Sequence, residues 1–195
     1  MFTTVEDGFL FGAFGDALLD VDLDQNGVVD FTFRSNSAPG DGLVIIPRGD
    51  SRVFTPQPDG NNPPSFVTRF NRGDQIGPDL INGGLFLAES RINPFNNREL
   101  GPGLLGCANA TSGVVCLGPF QDFDEGFVGV VLDSESANPR YGYISVSGNG
   151  FNGGTINSFG VELISGSSIQ AGAIPEPSSF LLLSVGAVML VRRRR

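Results

Sequence analysis

The sequence predicts an all-β fold: a single antiparallel β-sandwich of the jelly-roll kind over residues 1–164, followed by a short C-terminal transmembrane helix. Two observations predict the sandwich. The protein of 195 residues has 28 Gly and 13 Pro, about a fifth of the total, spread without a collagen-like period. Its 17 Phe residues and many Val and Ile residues lie in short runs between these turn formers. No stretch before residue 175 keeps a 3.6-residue apolar period, so no helical domain is expected.

Several short strand candidates lie in the first half of the sequence. Residues 9–14 are apolar around Gly12, which is typical of a first strand or a short helical turn. The dipeptide Gly49-Asp50 is a hairpin turn signal, so the segments on either side of it are expected to pair. Proline- and asparagine-rich residues 56–64 form a loop, and 71–83 form another. Strands are predicted over 28–33, 42–48, 51–55, 65–70 and 84–89.

The second half contains the most regular pattern. Residues 126–133 and 140–147 flank a polar turn, which predicts a hairpin. The second of these strands alternates cleanly. Tyr141, Tyr143 and Ser145 are expected on one face, and Gly142, Ile144 and Val146 on the other. A further strand is predicted over 155–164, and the small residues of 165–173 are expected to form a spacer.

The net charge of the protein limits its partners. The formal net charge is −9, and because the last four residues are all Arg, residues 1–191 carry −13. Such a surface repels nucleic acid and favours divalent cations. The sequence has no His, which excludes Ser-His-Asp and Cys-His nucleophile systems and His-ligated zinc. We therefore expect no nucleic-acid partner and no enzyme of these classes.

Two cysteines, Cys107 and Cys116, are separated by eight residues. In an exported domain, a pair at this spacing predicts one disulfide that closes a small loop. A zinc site is the alternative, but two thiolates without further Cys or His cannot complete a closed site.

The best candidate binding site is a loop with alternating oxygen side chains. Gly27 permits the sharp turn that a calcium loop needs. The twelfth position of a helical EF-hand loop would be Phe33 instead of Glu, so that motif is excluded. The pattern resembles the short calcium loops found between strands of extracellular β proteins. That resemblance implies Ca²⁺ bound by the Val28 carbonyl and by side-chain oxygens of Asp22, Asp24, Asn26 and Asp30. An Asx-rich turn that bonds its own backbone is the alternative.

The last 22 residues, 174–195, have three parts in a fixed order. The triplet Pro175-Glu176-Pro177 comes first, and an apolar run over 180–191 follows. As a helix that run spans about 18 Å, short of a hydrocarbon core of roughly 30 Å. From Pro177 to the last residue the span is about 28 Å, long enough if the terminal arginines reach the lipid phosphates. These arginines predict a cytoplasmic C-terminus and an external domain. They are Arg192, Arg193, Arg194 and Arg195.

This order of parts resembles the PEP-CTERM sorting tail of bacterial surface and exopolysaccharide-associated proteins. The resemblance implies that a membrane-embedded exosortase recognises Pro175-Glu176-Pro177 and removes the hydrophobic tail, releasing or attaching the domain. Residues 20–33 and 126–179 also resemble domains commonly joined to such tails, which implies a shared fold and no particular activity. An ordinary C-terminal anchor with an incidental proline linker is the alternative. An exported protein is also expected to have a signal peptide, whereas residues 1–7 are acidic.

These features together predict a non-enzymatic protein of the cell surface or extracellular matrix. Its tail is expected to hold it in membrane lipid, and the mature form to be surface-attached or secreted. The first alternative is a calcium-dependent carbohydrate-binding module that adheres to exopolysaccharide, with a groove lined by Tyr141, Tyr143 or the Phe-rich loops. The second is a glycan hydrolase or lyase that uses acids from the cluster Asp122, Asp124 and Glu125.

Overall fold

The part of the protein that the structure describes folds into antiparallel β-sheets with almost no helix, as the sequence predicts for it. A computed structural model describes residues 2–11, 17–35, 43–56, 67–89, 91–92, 99–100, 103–104, 107–110, 113–116, 120, 124–148 and 154–173. The only helix of this described part is α1, four residues long, Asp79–Asn82. The strands of the first half are β1 Phe2–Phe11, β2 Ala17–Val21, β3 Phe31–Ser35, β4 Leu43–Pro47, β5 Arg52–Thr55, β6 Arg69–Phe70, β7 Gln75–Ile76 and β8 Phe86–Ala88. Those of the second half are β9 Arg91–Ile92, β10 Glu99–Leu100, β11 Gly103–Leu104, β12 Cys107–Ala110, β13 Gly113–Cys116, β14 Gly126–Leu132, β15 Arg140–Gly148, β16 Gly154–Val161 and β17 Ile169–Gln170.

Two sheets contain most of the strands. The larger has the order β1-β16-β15-β14-β5-β8, with β6 also paired to β14. The smaller has the order β11-β4-β3-β2. Three two-stranded pairs complete the described part: β9 with β10, β12 with β13, and β7 with β17. The jelly-roll connection of the two sheets stays a prediction.

Both faces of the larger sheet are covered, so all seven residues of β14 are buried. One face packs against the smaller sheet in what we name the first cluster. Its members include Val21, Leu23, Phe31, Phe33 and Ile45 from the smaller-sheet side and Val128, Val130, Ile144, Val146 and Val161 from the larger sheet. The other face carries the second cluster. Its buried members are Phe54, Phe70, Ile76, Phe127, Val131, Tyr141, Tyr143, Ile169 and Ala171.

The predicted hairpin over 126–147 is confirmed. β14 and β15 pair without interruption from Gly126 opposite Val146 to Leu132 opposite Arg140. The predicted alternation along β15 is also confirmed, because Ile144 belongs to the first cluster and Tyr143 to the second. The polar turn between these strands therefore sets the register of the sheet centre.

The predicted hairpin at Gly49-Asp50 is wrong. The strands on its two sides belong to different sheets, β4 to the smaller and β5 to the larger. The turn itself forms, because Gly49 has a positive φ of 58° and Ser51 N–H donates to the Arg48 carbonyl at 3.0 Å. Pairing with β14 gives β5 burial on both faces, which a two-stranded hairpin cannot provide. The turn is thus a corner at which the backbone passes from one sheet to the other.

Residues 165–173 are not a free spacer. Ile169 and Gln170 form β17, which pairs with β7. Ile169 is 3% exposed and Ala171 is 1% exposed. The alternation of these apolar residues with Gln170 lets the segment cover the second cluster, and this burial outweighs the flexibility that small residues give a free segment.

Candidate functional site

The loop between β2 and β3, residues 22–30, is the candidate loop for cation binding. Leu23 is 1% exposed and anchors the loop in the first cluster. Asp22 and Asp24, the neighbours of Leu23 in the sequence, are only partly buried. At the base of the loop, Asp30 N–H donates to the Val21 carbonyl at 2.9 Å. With Leu23 buried between them in the sequence, the carboxylates of Asp22 and Asp24 stay near the surface.

Backbone N–H groups of the loop bind the carboxylate of Asp22. It accepts from Asn26 N–H at 3.1 Å and from Gly27 N–H at 2.7 Å. Gly27 has a φ of 89°, in the left-handed region that glycine adopts without steric cost. These bonds fold the loop back over Asp22 and fix the position of its carboxylate.

Three carboxylates converge at this loop. Oxygen atoms of Asp22, Asp24 and Asp30 all lie within 4.8 Å of one another. Among the residues that the structure describes, no other group of three or more acidic or Cys residues converges in this way. Carboxylate oxygens are the ligands that calcium prefers, and a cation would offset the mutual repulsion of these groups.

Asp30 is the buried member of the group, at 8% exposure. It accepts from Leu23 N–H at 2.7 Å and from the Ser51 hydroxyl at 3.4 Å. Burial raises the pKa of Asp30, and the nearby charges of Asp24 and Asp22 add to this increase. Its negative charge is therefore costly unless a positive charge lies close to it.

Arg140, the first residue of β15, brings a positive charge to another member of the group, Asp24. Its guanidinium lies 2.6 Å from an Asp24 oxygen and 2.7 Å from an Asp133 oxygen. Partial burial opposes the ionisation of Asp24, but the hydrogen bond and charge of Arg140, together with hydrogen bonds from Asn26, outweigh it and hold the pKa of Asp24 below its usual value. One guanidinium thus faces the acidic group from outside the loop.

The structure brings together three of the five predicted ligands: Asp22, Asp24 and Asp30. Asn26 lies beside them, and its amide nitrogen donates to Asp24 at 3.0 Å while its amide oxygen accepts from Val28 N–H at 2.7 Å. These bonds are those of an Asx turn, so that alternative describes part of the loop. The assignment of Ca²⁺, and of the Val28 carbonyl as a ligand, stays a prediction.

Two further residues of this site, Arg140 and Ser51, were not predicted from the sequence. Arg140 follows Asp24 by 116 residues and Ser51 follows Asp30 by 21. No local pattern marks such partners, since only the packing of β15 and of the sheet-changing corner brings them to the loop.

Of the acidic cluster of the second half, the structure describes Asp124 and Glu125. Asp122 lies outside the described residues, and Asp124 is exposed. Glu125 accepts from the Ser145 hydroxyl at 2.7 Å and pairs with Arg72 at 3.0 Å. These bonds give Glu125 a role in holding neighbouring segments together.

The two tyrosines predicted to line a sugar groove are buried, each at 3% exposure. Tyr141 stacks on Phe54 with ring centroids 6.4 Å apart, and Tyr143 packs edge-on against Phe127 at 5.5 Å. Neither ring offers a free face, so neither can stack on a sugar.

The cysteines lie on a small hairpin. Cys107 in β12 and Cys116 in β13 are direct partners in the antiparallel register. Partners in such a pair have Cα atoms about 4.5–5.5 Å apart, within the range that a disulfide requires. The backbone is therefore compatible with the predicted disulfide, which stays a prediction.

The C-terminal tail is the part of the sequence that matches a known family. Residues 174–195 lie outside the described residues, and the predicted membrane run over 180–191 lies with them. No helix in the described part is long and apolar enough to cross a membrane. Residues 173–195 match the family model of the PEP-CTERM protein-sorting motif. The protein has a PEP-CTERM sorting motif. The predicted resemblance is thereby confirmed.

The PEP-CTERM motif supports an exported, membrane-associated or surface protein with an exosortase as its processing partner. Comparison with curated proteins and with solved structures gives no match. The motif therefore describes how the protein is sorted, and the part before residue 173 has to be interpreted from its own residues.

Proposed function

We propose that this protein is a non-enzymatic component of the cell surface or extracellular matrix, delivered by its PEP-CTERM tail. The observation that carries the proposal is the match over residues 173–195. In this account an exosortase reads Pro175-Glu176-Pro177, the apolar run over 180–191 holds the substrate in the bilayer, and Arg192–Arg195 keep the C-terminus in the cytoplasm. After the tail is removed, the β domain, residues 2–173, remains exposed outside the cell.

Two properties of the β domain support a display role. The domain is acidic, because 20 of the 21 Asp and Glu residues but only 8 of the 12 Arg residues precede residue 174, and this net charge favours solubility outside the cell. Its sequence has no His, and the described acid Glu125 is engaged by Ser145 and Arg72. A role that depends on the stability and surface of the domain fits these features.

The second part of the proposal is that Ca²⁺ stabilises the β domain at the candidate loop. The supporting observation is the convergence of Asp22, Asp24 and Asp30 within 4.8 Å. Among these three carboxylates Arg140 pairs with Asp24, and it shares its charge with Asp133, so a divalent cation would offset the remaining repulsion. Calcium abundant outside cells would then favour the folded domain after export.

Adhesion to exopolysaccharide is an alternative role for the same displayed domain. With Tyr141 and Tyr143 buried, a different aromatic ring has to serve as the sugar platform. Phe86 on the edge strand β8 is 43% exposed and is the candidate. Retention on the polysaccharide of the host, lost on Phe86→Ala, would favour this alternative.

The sorting proposal is tested by locating the protein in its native host. The wild type should reach the cell surface or the medium without its tail. A variant with Pro175, Glu176 and Pro177 changed to Ala should stay in the membrane fraction with its tail intact. Pro56→Ala, which changes an exposed proline of the β domain, is the control and should sort like the wild type. Equal distribution of the triple variant and the wild type would contradict the proposal.

A further inference from the structure

The segment just before the sorting motif is fixed to the β domain. We name residues 169–173 the strap. Ile169 pairs with Ile76 and Gln170 with Gln75, as β17 against β7. Ile169 and Ala171 are buried in the second cluster, at 3% and 1% exposure. The strap is therefore part of the folded body and not a linker.

Four hydrogen bonds hold the last three residues of the strap. Ala171 exchanges two of them with the turn before β7: Gly73 N–H donates to its carbonyl and its N–H donates to the Asp74 carbonyl, each at 2.8 Å. Arg72 donates to the Gly172 carbonyl at 3.1 Å. The Tyr143 hydroxyl donates to the Ala173 carbonyl at 2.8 Å. Attachment thus continues to the last described residue.

Gly172 shows how closely the strap approaches the sheet. Its φ is 68°, and a Cβ at this position would lie 2.7 Å from Phe127 and 3.0 Å from Arg72. Arg72 is itself held by Glu125 at 3.0 Å and lies 5.5 Å above the Phe127 ring. The anchoring site is therefore built from side chains of three separate segments.

The sorting motif begins two residues after the anchored Ala173, at Pro175. An extended backbone spans at most about 3.6 Å per residue, so two residues reach no more than roughly 7 Å beyond Ala173. A membrane enzyme that reads the motif has to work close to the face that carries Arg72, Glu125 and the strap.

We propose that exosortase processing cuts the backbone on the C-terminal side of Ala173 and leaves the strap in the mature domain. This rests on the proposed sorting function. Processing breaks one backbone C–N bond; the acyl carbon passes to water, or to a nucleophile of a surface anchor, and the amine leaves with the tail. A cut inside the strap would instead remove the cover of the second cluster and expose its apolar residues.

The strap is tested on the full-length protein, in detergent, by limited proteolysis with proteinase K and mass analysis of the C-terminal ends. The first cuts should fall after Ala173, and residues 169–173 should remain on the protected core. Cuts within 169–173 as fast as those in the tail would overturn the strap. This result does not depend on any exosortase.

A matched pair of variants isolates the Tyr143 contact. Tyr143→Phe removes only the hydroxyl that holds Ala173, and it should speed cutting at the end of the strap about fivefold, the effect of one lost hydrogen bond. Tyr141→Phe makes the same change on the same face of β15, and its hydroxyl makes no described bond to the strap. Equal cutting of the two variants would contradict an anchoring role for Tyr143.

The processing position is tested by the C-terminal peptide of the mature protein from its native host. The expected end lies at or after Ala173. An end before Ile169 or within the strap would overturn the inference even though processing occurs. An uncut tail would overturn the proposed sorting function together with the processing position, while the proteolysis result still decides the strap.

Discussion

The guanidinium of Arg140 lies 2.6 Å from a carboxylate oxygen of Asp24, which precedes it by 116 residues. The same guanidinium contacts Asp133 at 2.7 Å. Arg140 therefore connects the candidate loop to the turn between β14 and β15. These two strands pair without interruption in the larger sheet. Any cation bound at the loop would act on a segment already connected to the centre of the domain.

Calcium should raise the melting temperature of the wild type. At a concentration 100-fold above its dissociation constant, a ligand stabilises by about 2.7 kcal/mol, which corresponds to a rise of roughly 5–10 °C for a domain of this size. The double variant Asp22→Ala/Asp24→Ala should lose this rise, because two converging carboxylates are removed. Thermal unfolding with calcium and with chelator measures both melting temperatures.

Asp79→Ala, which removes an exposed acid on α1, is the control and should keep the full rise in melting temperature. An equal rise in the double variant would place any calcium elsewhere.

Replacing Arg140 with Leu should destabilise the domain by about 2 kcal/mol in the absence of calcium. The change leaves the Asp24 side chain, 9% exposed, without its ion-pair partner. The loss should be smaller in saturating calcium, because the cation neutralises the same carboxylates. Urea unfolding measures the free energy in both conditions. Arg52→Leu is the control: its carboxylate partners Glu89 and Glu135 lie outside the candidate loop, so calcium should not change its loss. A loss for Arg140→Leu that calcium leaves unchanged would contradict a special role for Arg140.

Alkaline pH should weaken the domain through Tyr143. Burial raises the pKa of its phenol; the charge of Arg72 opposes this, and that of Glu125 adds to it. With a folded pKa above the unfolded value, the stabilising contribution is complete below the unfolded pKa and is lost as the pH rises through the folded pKa. Tyr143→Phe should therefore flatten the fall in stability above about pH 10. Tyr141→Phe should flatten it as well, since burial also raises the pKa of Tyr141, but it should leave the strap intact at neutral pH. An unchanged alkaline slope in both variants would contradict their burial.

The register of β12 and β13 places Cys107 opposite Cys116, so we expect a disulfide between them. Mass analysis after alkylation without reductant should find no free thiol in the exported protein. In the chain-entropy treatment, closing a loop of this length stabilises by about 2.5 kcal/mol. Cys107→Ala/Cys116→Ala should lose that amount, and reductant should destabilise only the wild type. Free thiols in exported protein would contradict the prediction.

Local patterns predicted part of this fold well. The uninterrupted apolar run of β14, the polar turn after it and the alternation of β15 all specify one hairpin, and the hairpin forms. Gly49-Asp50 was misleading because the same turn geometry serves a hairpin and a corner between sheets. Only the burial of both faces of β5 distinguishes the two, and burial depends on the partner strand β14.

The candidate site was predictable where its chemistry is local. Alternating acids around Leu23, with Gly27 for the turn, brought Asp22, Asp24 and Asp30 together as the pattern indicates. Arg140 could not be predicted, because its contact follows from the packing of a distant strand. The strap was missed for a related reason: its small residues are typical of a flexible spacer, and its attachment depends on Arg72, Tyr143 and β7.

The most direct test of the account is the intact mass of the protein recovered from the surface and medium of its native host. We expect a protein that has lost the apolar run over 180–191 and Arg192–Arg195 and that ends at or after Ala173. Recovery of the protein only with Arg195 at its end, in the membrane fraction, would contradict processing and leave the Pro175-Glu176-Pro177 motif as a linker to a permanent anchor.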